Sequence, residues 1–309
     1  MNFFADLQEM ISQKLSTLGY PPALGEDFDA VLIRCLNLQR RIPPVVVWTI
    51  KQSKELAAKS FPQSIRLGLQ QFIKKAESGQ SLKPHLSTKS DNPDYKDLMF
   101  SDWEVFHFHL GTDPHLKCQG FVKRTDDLLF AIADSNTAGM YLIDIHPHRG
   151  GFTNQDLLRI IEENWAEILD PYTLKGVIGL TYNASDNDIG HLRKAGITTM
   201  LQTPGGRVLA PMGGGITTAG TSTRNRIEAN RIKTSVRQLE EHFIQQQAFI
   251  EAHFKSKYGK NWDDLTFKVK SFDSPVKIEE IITGEVIEIQ GYFILNKSMS
   301  VLRPKPARR

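Results

Sequence analysis

The chain has two cysteines, Cys35 and Cys118, in 309 residues. So few exclude a disulfide framework and a cysteine-ligated metal cluster, and they suit a reducing, cytoplasmic setting. Long hydrophobic runs are missing as well. The most apolar stretch, residues 43–48, is far short of the roughly 20 residues that span a bilayer, so no membrane partner is expected. The opening residues, MNFFADLQEMISQKL, have no basic segment followed by an apolar block, so no secretory leader is expected there. Neither sign of charge dominates. A formal net charge of +3 is mildly basic and does not by itself imply nucleic acid. Charged residues of mixed sign at 24%, beside 40% hydrophobic residues, exclude a wholly disordered chain and allow real cores.

What is present is a change of period along the chain. Residues 3–18, 28–38 and 63–76 carry apolar side chains at helical spacing, with Gly19, Pro21, Pro22 and Gly79 as punctuation. A polar loop follows over residues 83–96. The period then becomes two, giving strands at 102–110, 127–133 and 140–146, the last two forming a hairpin around residues 134–139. A helix over 153–169 opens on a capping-box-like pair, Thr153 and Asp156. A buried strand is expected at 177–180, a short helix at 189–195, and two strands at 197–201 and 207–210. A single long helix covers 226–258, and strands at 266–269, 286–289 and 292–295 precede a basic tail at 303–309. The expected fold class is α+β: N-terminal helices, a central mainly antiparallel sheet with packed helices, a long helix and a small C-terminal β unit. The expected divisions are 1–80, 81–222 and 223–309.

Five of the nine histidines lie between His107 and His148. Side chains alternate faces along a strand. Strict alternation puts Phe106, Phe108 and Leu110 on one face of their strand, and His107 and His109 on the other. It likewise separates Tyr141, Ile143 and Ile145 from Asp144, His146 and His148. With both apolar faces on the core, the four histidines and Asp144 share the opposite face, and Lys123 and Arg124 reach the same surface. Three readings fit: polar residues on a solvent face, general acid–base chemistry by imidazoles that titrate near neutrality, or a histidine-ligated metal site.

The segment 63–151 has a helical unit ending in Gly79, a polar linker, and strands ending in IDIHPHRG. Its LLFAIAD and MYLIDIHPHR strands resemble the last two core strands of the RelE/ParE-like toxins among the barnase-like ribonucleases. The D-W-x-x-x-H-x-H-L pattern at 102–110 also resembles a pattern found in uncharacterised bacterial proteins. The toxin resemblance implies a bacterial nuclease effector, a toxin or an antiviral-defence ribonuclease, that cleaves RNA without a metal or other cofactor. That chemistry needs a base for the ribose 2′-hydroxyl, an acid for the departing 5′-oxygen and a cation for the phosphorane. The implied catalytic set is His107, His109, Lys123, Arg124, Asp144, His146 and His148, with Asp144 orienting an imidazole. The implied partners are RNA or another nucleic acid, and an antitoxin or defence-complex protein. Two other classes compete with this reading: a non-catalytic regulatory or assembly protein that binds through its helices, and a histidine-ligated metal enzyme.

The glycine-rich loop at 212–222 precedes the long helix, where glycines can cradle phosphate. Gly213, Gly214, Gly215, Thr221, Ser222 and Arg224 are the candidates there, against a purely structural turn. The loop lacks the G-K-[ST] ending of a Walker A motif. Arg40, Arg41, Lys51 and Lys54 read as a solvated surface, and Cys118 as structural. The long helix offers a surface for a homo-oligomer or a partner. His85, His115 and His191 are expected to be neutral to substitution.

Overall fold

The computed structural model of the chain describes residues 1–292. The expected strand beyond Tyr292 and the basic tail lie outside the described residues. Helices α1 (Phe3–Thr17) and α2 (Phe28–Arg40) open the chain. They are followed by β1 (Thr49–Gln52), α3 (Lys54–Ala58), α4 (Gln63–Glu77), α5 (Leu98–Trp103), β2 (Phe106–His109), β3 (Asp127–Asp134), β4 (Gly139–Pro147) and the short turn α6 (His148–Gly151). Next come α7 (Asp156–Trp165), α8 (Asp186–Lys194), β5 (Leu201–Gln202) and β6 (Val208–Leu209). The last elements are α9 (Thr223–Gln245), α10 (Gln247–Tyr258), β7 (Phe267–Ser271), β8 (Val276–Glu280) and β9 (Val286–Ile289). No helix among the described residues is long and apolar enough to cross a membrane.

The described residues form two compact units, residues 40–225 and residues 1–39 with those from 226 onward. The boundary expected near residue 80 is therefore replaced. Residues 40–80 belong with the histidine-bearing sheet, and only α1 and α2 belong with the C-terminal segment. In that discontinuous unit, the stripes Phe3, Leu7, Ile11 and Leu15 of α1 and Val31, Leu32 and Leu36 of α2 share one core with Val236, Leu239, Phe243 and Phe254. Phe267, Val276 and Ile278 of an antiparallel β7–β8–β9 sheet complete it.

The 40–225 unit is built on a mixed sheet of order β1–β4–β3–β2. β2, β3 and β4 are antiparallel neighbours, and β1 adds a parallel edge to β4. Both faces of this sheet are covered. Phe106, Phe108, Leu129, Ala131, Leu142 and Ile145 pack with Ile65 and Phe72 of α4. Leu128, Phe130, Ile132, Tyr141 and Ile143 pack with Leu157, Ile160 and Ile161 of α7. The expectation of one apolar and one open face fails for this reason.

The register explains a second departure. Phe130 pairs with Asp144 and Ala131 with Leu142, so Ile143 is an extra residue, a β-bulge. A bulge resets the alternation beyond it. Ile143 therefore joins the α7 core while Ile145 joins the α4 core. The three apolar residues Tyr141, Ile143 and Ile145 do not share a face.

Other elements shift for local reasons. Helix α7 begins at Asp156, whose N–H is accepted by Asn154 Oδ1 at 3.0 Å, instead of on a Thr153 cap. Residues 177–180 form no strand, and Ile178 is 98% exposed. The expected strands at 197–201 and 207–210 shrink to two residues each. The long helix is two helices, separated at Gln246.

Candidate functional site

Strand β2 is held rigidly from one side. Phe108 packs 4.7 Å from Phe72, and Phe106 lies 4.6 Å from Phe100. Its alternate residues, His107 and His109, therefore face the α7 side, where they are 7% and 2% exposed. They line a pocket of about 330 Å³ together with Arg124, His148, Phe152 and Arg193. Lys89, Lys96 and Lys194 also reach this pocket, and Asp97 contributes a carboxylate.

Burial disfavours the charged form of both strand histidines. Burial pushes His107 below the usual histidine range, opposed by nearby Asp97 and reinforced by His148 and Arg124. His109 is lowered to about 4, by burial first and then by Arg124. The Nδ1 of His109 accepts the Thr125 N–H at 3.1 Å, which fixes its ring. The Nδ1 of His107 lies 3.7 Å from an Asp97 oxygen and makes no hydrogen bond among the described residues. Asp97 is itself fixed as the cap of α5, accepting the Phe100 N–H at 3.0 Å. His148, exposed where the chain leaves β4, and His107 both stand edge-on to Phe152, with ring centroids 5.0 and 4.9 Å away.

Arg193 comes from α8 and is 4% exposed. Its Nε donates to Asp102 Oδ2 at 2.8 Å and its Nη1 to the Phe152 carbonyl at 2.5 Å. Its Nη2 is buried with no acceptor among the described residues, as Asp102 Oδ1 is without a donor. A guanidinium N–H left unpaired in the interior is costly, and here the guanidinium stacks on Trp103, 4.2 Å from the ring centroid.

Asp144 and His146 lie elsewhere. Asp144, 1% exposed, is held between Lys59 and His146, whose Nε2 is 3.0 Å away. Its carboxyl is lowered against the opposing effect of burial by its bonds to His146, Lys59 and the Ile145 N–H. Leu128 separates His109 from His146 in the register, and Phe130 separates His107 from Asp144. Two strand spacings, roughly 10 Å, divide the columns. This triplet ties the end of α3 to β4 and does not line the histidine pocket. Lys123 is exposed and is not among the pocket-lining residues, while its neighbour Arg124 is. Among the described residues no three His, Cys, Asp or Glu side chains converge as a metal-ligand set.

The glycine-rich loop is closed on itself. The N–H groups of Gly213, Gly214 and Gly215 donate to the carbonyls of Asp102, Pro211 and Ser101. A Cβ on Gly213 would stand 2.5 Å from the Phe100 and Ser101 carbonyl oxygens, so glycine here permits close backbone contact with α5. Thr221 Oγ1 bonds Thr217 Oγ1 at 2.8 Å, Ser222 Oγ accepts from Arg40 at 2.8 Å, and Arg224 grips Glu104. These contacts leave the phosphate-cradle expectation without a free N–H row, and the turn serves to dock α5.

Three basic or histidine residues read as surface or neutral prove structural. Arg41 is buried, with Nη2 donating to the Asn92 carbonyl at 2.6 Å. Arg40 bridges Glu104, Ser222 and Asn225. His85 is fully buried, with Nδ1 2.8 Å from the His109 carbonyl oxygen and its ring 5.3 Å from that of Phe72. His115 turns its Nδ1 onto the N–H groups of Lys117 and Cys118, and His191 is exposed on α8.

The residues that complete the pocket, namely Lys89, Asp97, Phe152, Arg193 and Lys194, were not legible as a set, because they come from four separate segments. Asp97 alone left a signal, as a helix-capping residue type before the apolar run LMF. Comparisons of the chain with protein-family models, with curated proteins and with solved structures gave no match.

Proposed function

We propose that the histidine pocket binds a phosphodiester and cleaves RNA by metal-independent acid–base chemistry, as in a bacterial toxin or defence ribonuclease. The observation that carries this reading is the convergence of His107, His148 and five cationic side chains on one pocket in which, among the described residues, Asp97 is the single lining carboxylate. Neutral His107 is the base. It takes the proton of a ribose 2′-hydroxyl, and the adjacent Asp97 carboxylate favours the imidazolium that forms. The 2′-oxygen then attacks phosphorus. Exposed His148 is the acid and gives a proton to the departing 5′-oxygen. Arg124, Lys96 and Lys194 neutralise the phosphorane. The products are a 2′,3′-cyclic phosphate and a 5′-hydroxyl.

The test is incubation of the purified protein with a fluorogenic single-stranded RNA in the presence of a chelator. Cyclic-phosphate ends are expected. His107→Ala and His148→Ala each slow cleavage by about 100-fold or more, while His146→Ala stays close to wild type. Full cleavage by the His107→Ala/His148→Ala double variant, or none by the wild type, sinks the reading.

A further inference from the structure

The 40–225 unit holds a second pocket, of about 430 Å³, that the proposed chemistry does not use. Along β3, Leu128 and Phe130 lie beside the histidine columns, whereas Ile132 and Ala133 line this second pocket. The Arg193 guanidinium stands 4.2 Å over the Trp103 ring. Arg193 lines the histidine pocket and Trp103 the second one, so this stack stands between the two.

The chemistry of the two pockets is opposed. Aromatic rings of Trp103, Tyr141 and Tyr172 wall the second pocket, with Ile132, Ile168 and Met212 among them. Among the described residues its lining carboxylates are Glu104, Asp134 and Glu167, and its lining cation is Arg224. Arg224 is already committed to both Glu104 oxygens and to the Met212 carbonyl. Glu104 in turn also accepts from Arg40. That network closes on itself and leaves Asp134, on the β3–β4 turn, and Glu167, after α7, as the acceptors. Asp134 takes the Asn136 N–H and the Thr137 hydroxyl, and each carboxylate oxygen has a second lone pair. A phosphate would meet carboxylates here, and among the described residues that line the pocket no cation is uncommitted. A flat ring with adjacent N–H groups would meet aromatic walls and carboxylates that accept two donors together. The volume is within the range of small-ligand sites.

We propose that this pocket binds an unphosphorylated nucleobase or nucleoside, with preference for bases that present adjacent N–H donors, guanine first. This proposal stands on its own residues and does not depend on RNA cleavage.

The test is calorimetric titration of the full chain with guanosine, uridine and guanosine 5′-monophosphate, with Trp fluorescence as a second readout through Trp103. Guanosine is expected to bind with Kd below about 1 mM, at least about tenfold tighter than uridine. Glu167→Gln, at an exposed position, and Tyr172→Ala should each weaken guanosine about tenfold or more. Circular dichroism of both variants checks folding. Guanosine 5′-monophosphate should gain nothing over guanosine in this pocket, because its lining cation Arg224 is already paired with Glu104. Three outcomes overturn the proposal: no saturable guanosine binding, equal affinity for uridine, or guanosine binding untouched in a folded Glu167→Gln/Tyr172→Ala double variant. Loss of RNA cleavage in the histidine variants has no bearing on any of them.

Discussion

At the residue scale, His85 shows how a histidine outside the pocket can hold one that lines it. Its Nδ1 bonds the backbone carbonyl of His109, and its ring packs on Phe72. Burial, with the nearby Lys75 charge, lowers it to about 4, as burial and Arg124 lower His109 to about 4. Above pH 6.5 these rings are neutral in both the folded and unfolded chains, so their contribution to stability is complete. As pH falls from 6.5 towards 4, the unfolded rings bind protons and the folded ones do not, so stability drains away across that window. Each pKa unit is worth about 1.4 kcal/mol, which makes the loss a few kcal/mol per ring. The expected outcome is a thermal midpoint that is flat above pH 7 and falls steadily to pH 4. His85→Gln should make that fall shallower, and His85→Ala should lower the midpoint even at pH 7.5. A wild-type midpoint that is unchanged between pH 7 and 4 would contradict these environments.

At the scale of elements, the contact between α4 and β2 depends on one missing side chain. A Cβ on Gly68 would lie 1.8 Å from the Leu110 carbonyl oxygen, an impossible approach that forces the helix and strand apart. Gly68→Ala should therefore destabilise by about 2 kcal/mol or more despite the better helix propensity of alanine. Denaturant unfolding measures this, and a stabilised Gly68→Ala variant would show that the two elements do not meet so closely. The strands themselves were legible because DWEVFHFHL ends in an alternating FHFH, and DLLFAIA and MYLIDIH are short apolar runs bounded by polar residues. The bulge at Ile143 was not, since it depends on pairing with β3 and leaves no mark in composition. β8 was missed because Glu280 ends it facing inward. That carboxylate is fully buried, accepts the Thr266 and Thr283 N–H groups, and interrupts the apolar alternation. β1 was missed because it is a four-residue parallel edge with little burial. The histidine pair of β2 and its Arg124 neighbour were visible as a candidate site. The separation of Asp144 and His146 from them was not, because the apolar column between lies on another strand.

At the scale of the whole molecule, the histidine-bearing unit carries its own cores. Every residue of the two clusters that sandwich its sheet lies within 40–225. A fragment of residues 40–225 is therefore expected to unfold cooperatively, with near-ultraviolet circular dichroism from Trp48, Trp103 and Trp165, all buried. A fragment with helical signal but no near-ultraviolet signal would show that the unit relies on the rest of the chain. The other unit has the opposite property, since its core joins α1 and α2 to residues beyond 226. Chain order thus becomes time on the ribosome. The oily stripes of α1 and α2 emerge before residues 40–225 and have only each other until the whole of that unit has been made. At roughly 5–20 residues per second that wait is on the order of 10–40 s. A nascent chain carries its finished histidine pocket through part of that interval while α1 and α2 still await the rest of their core.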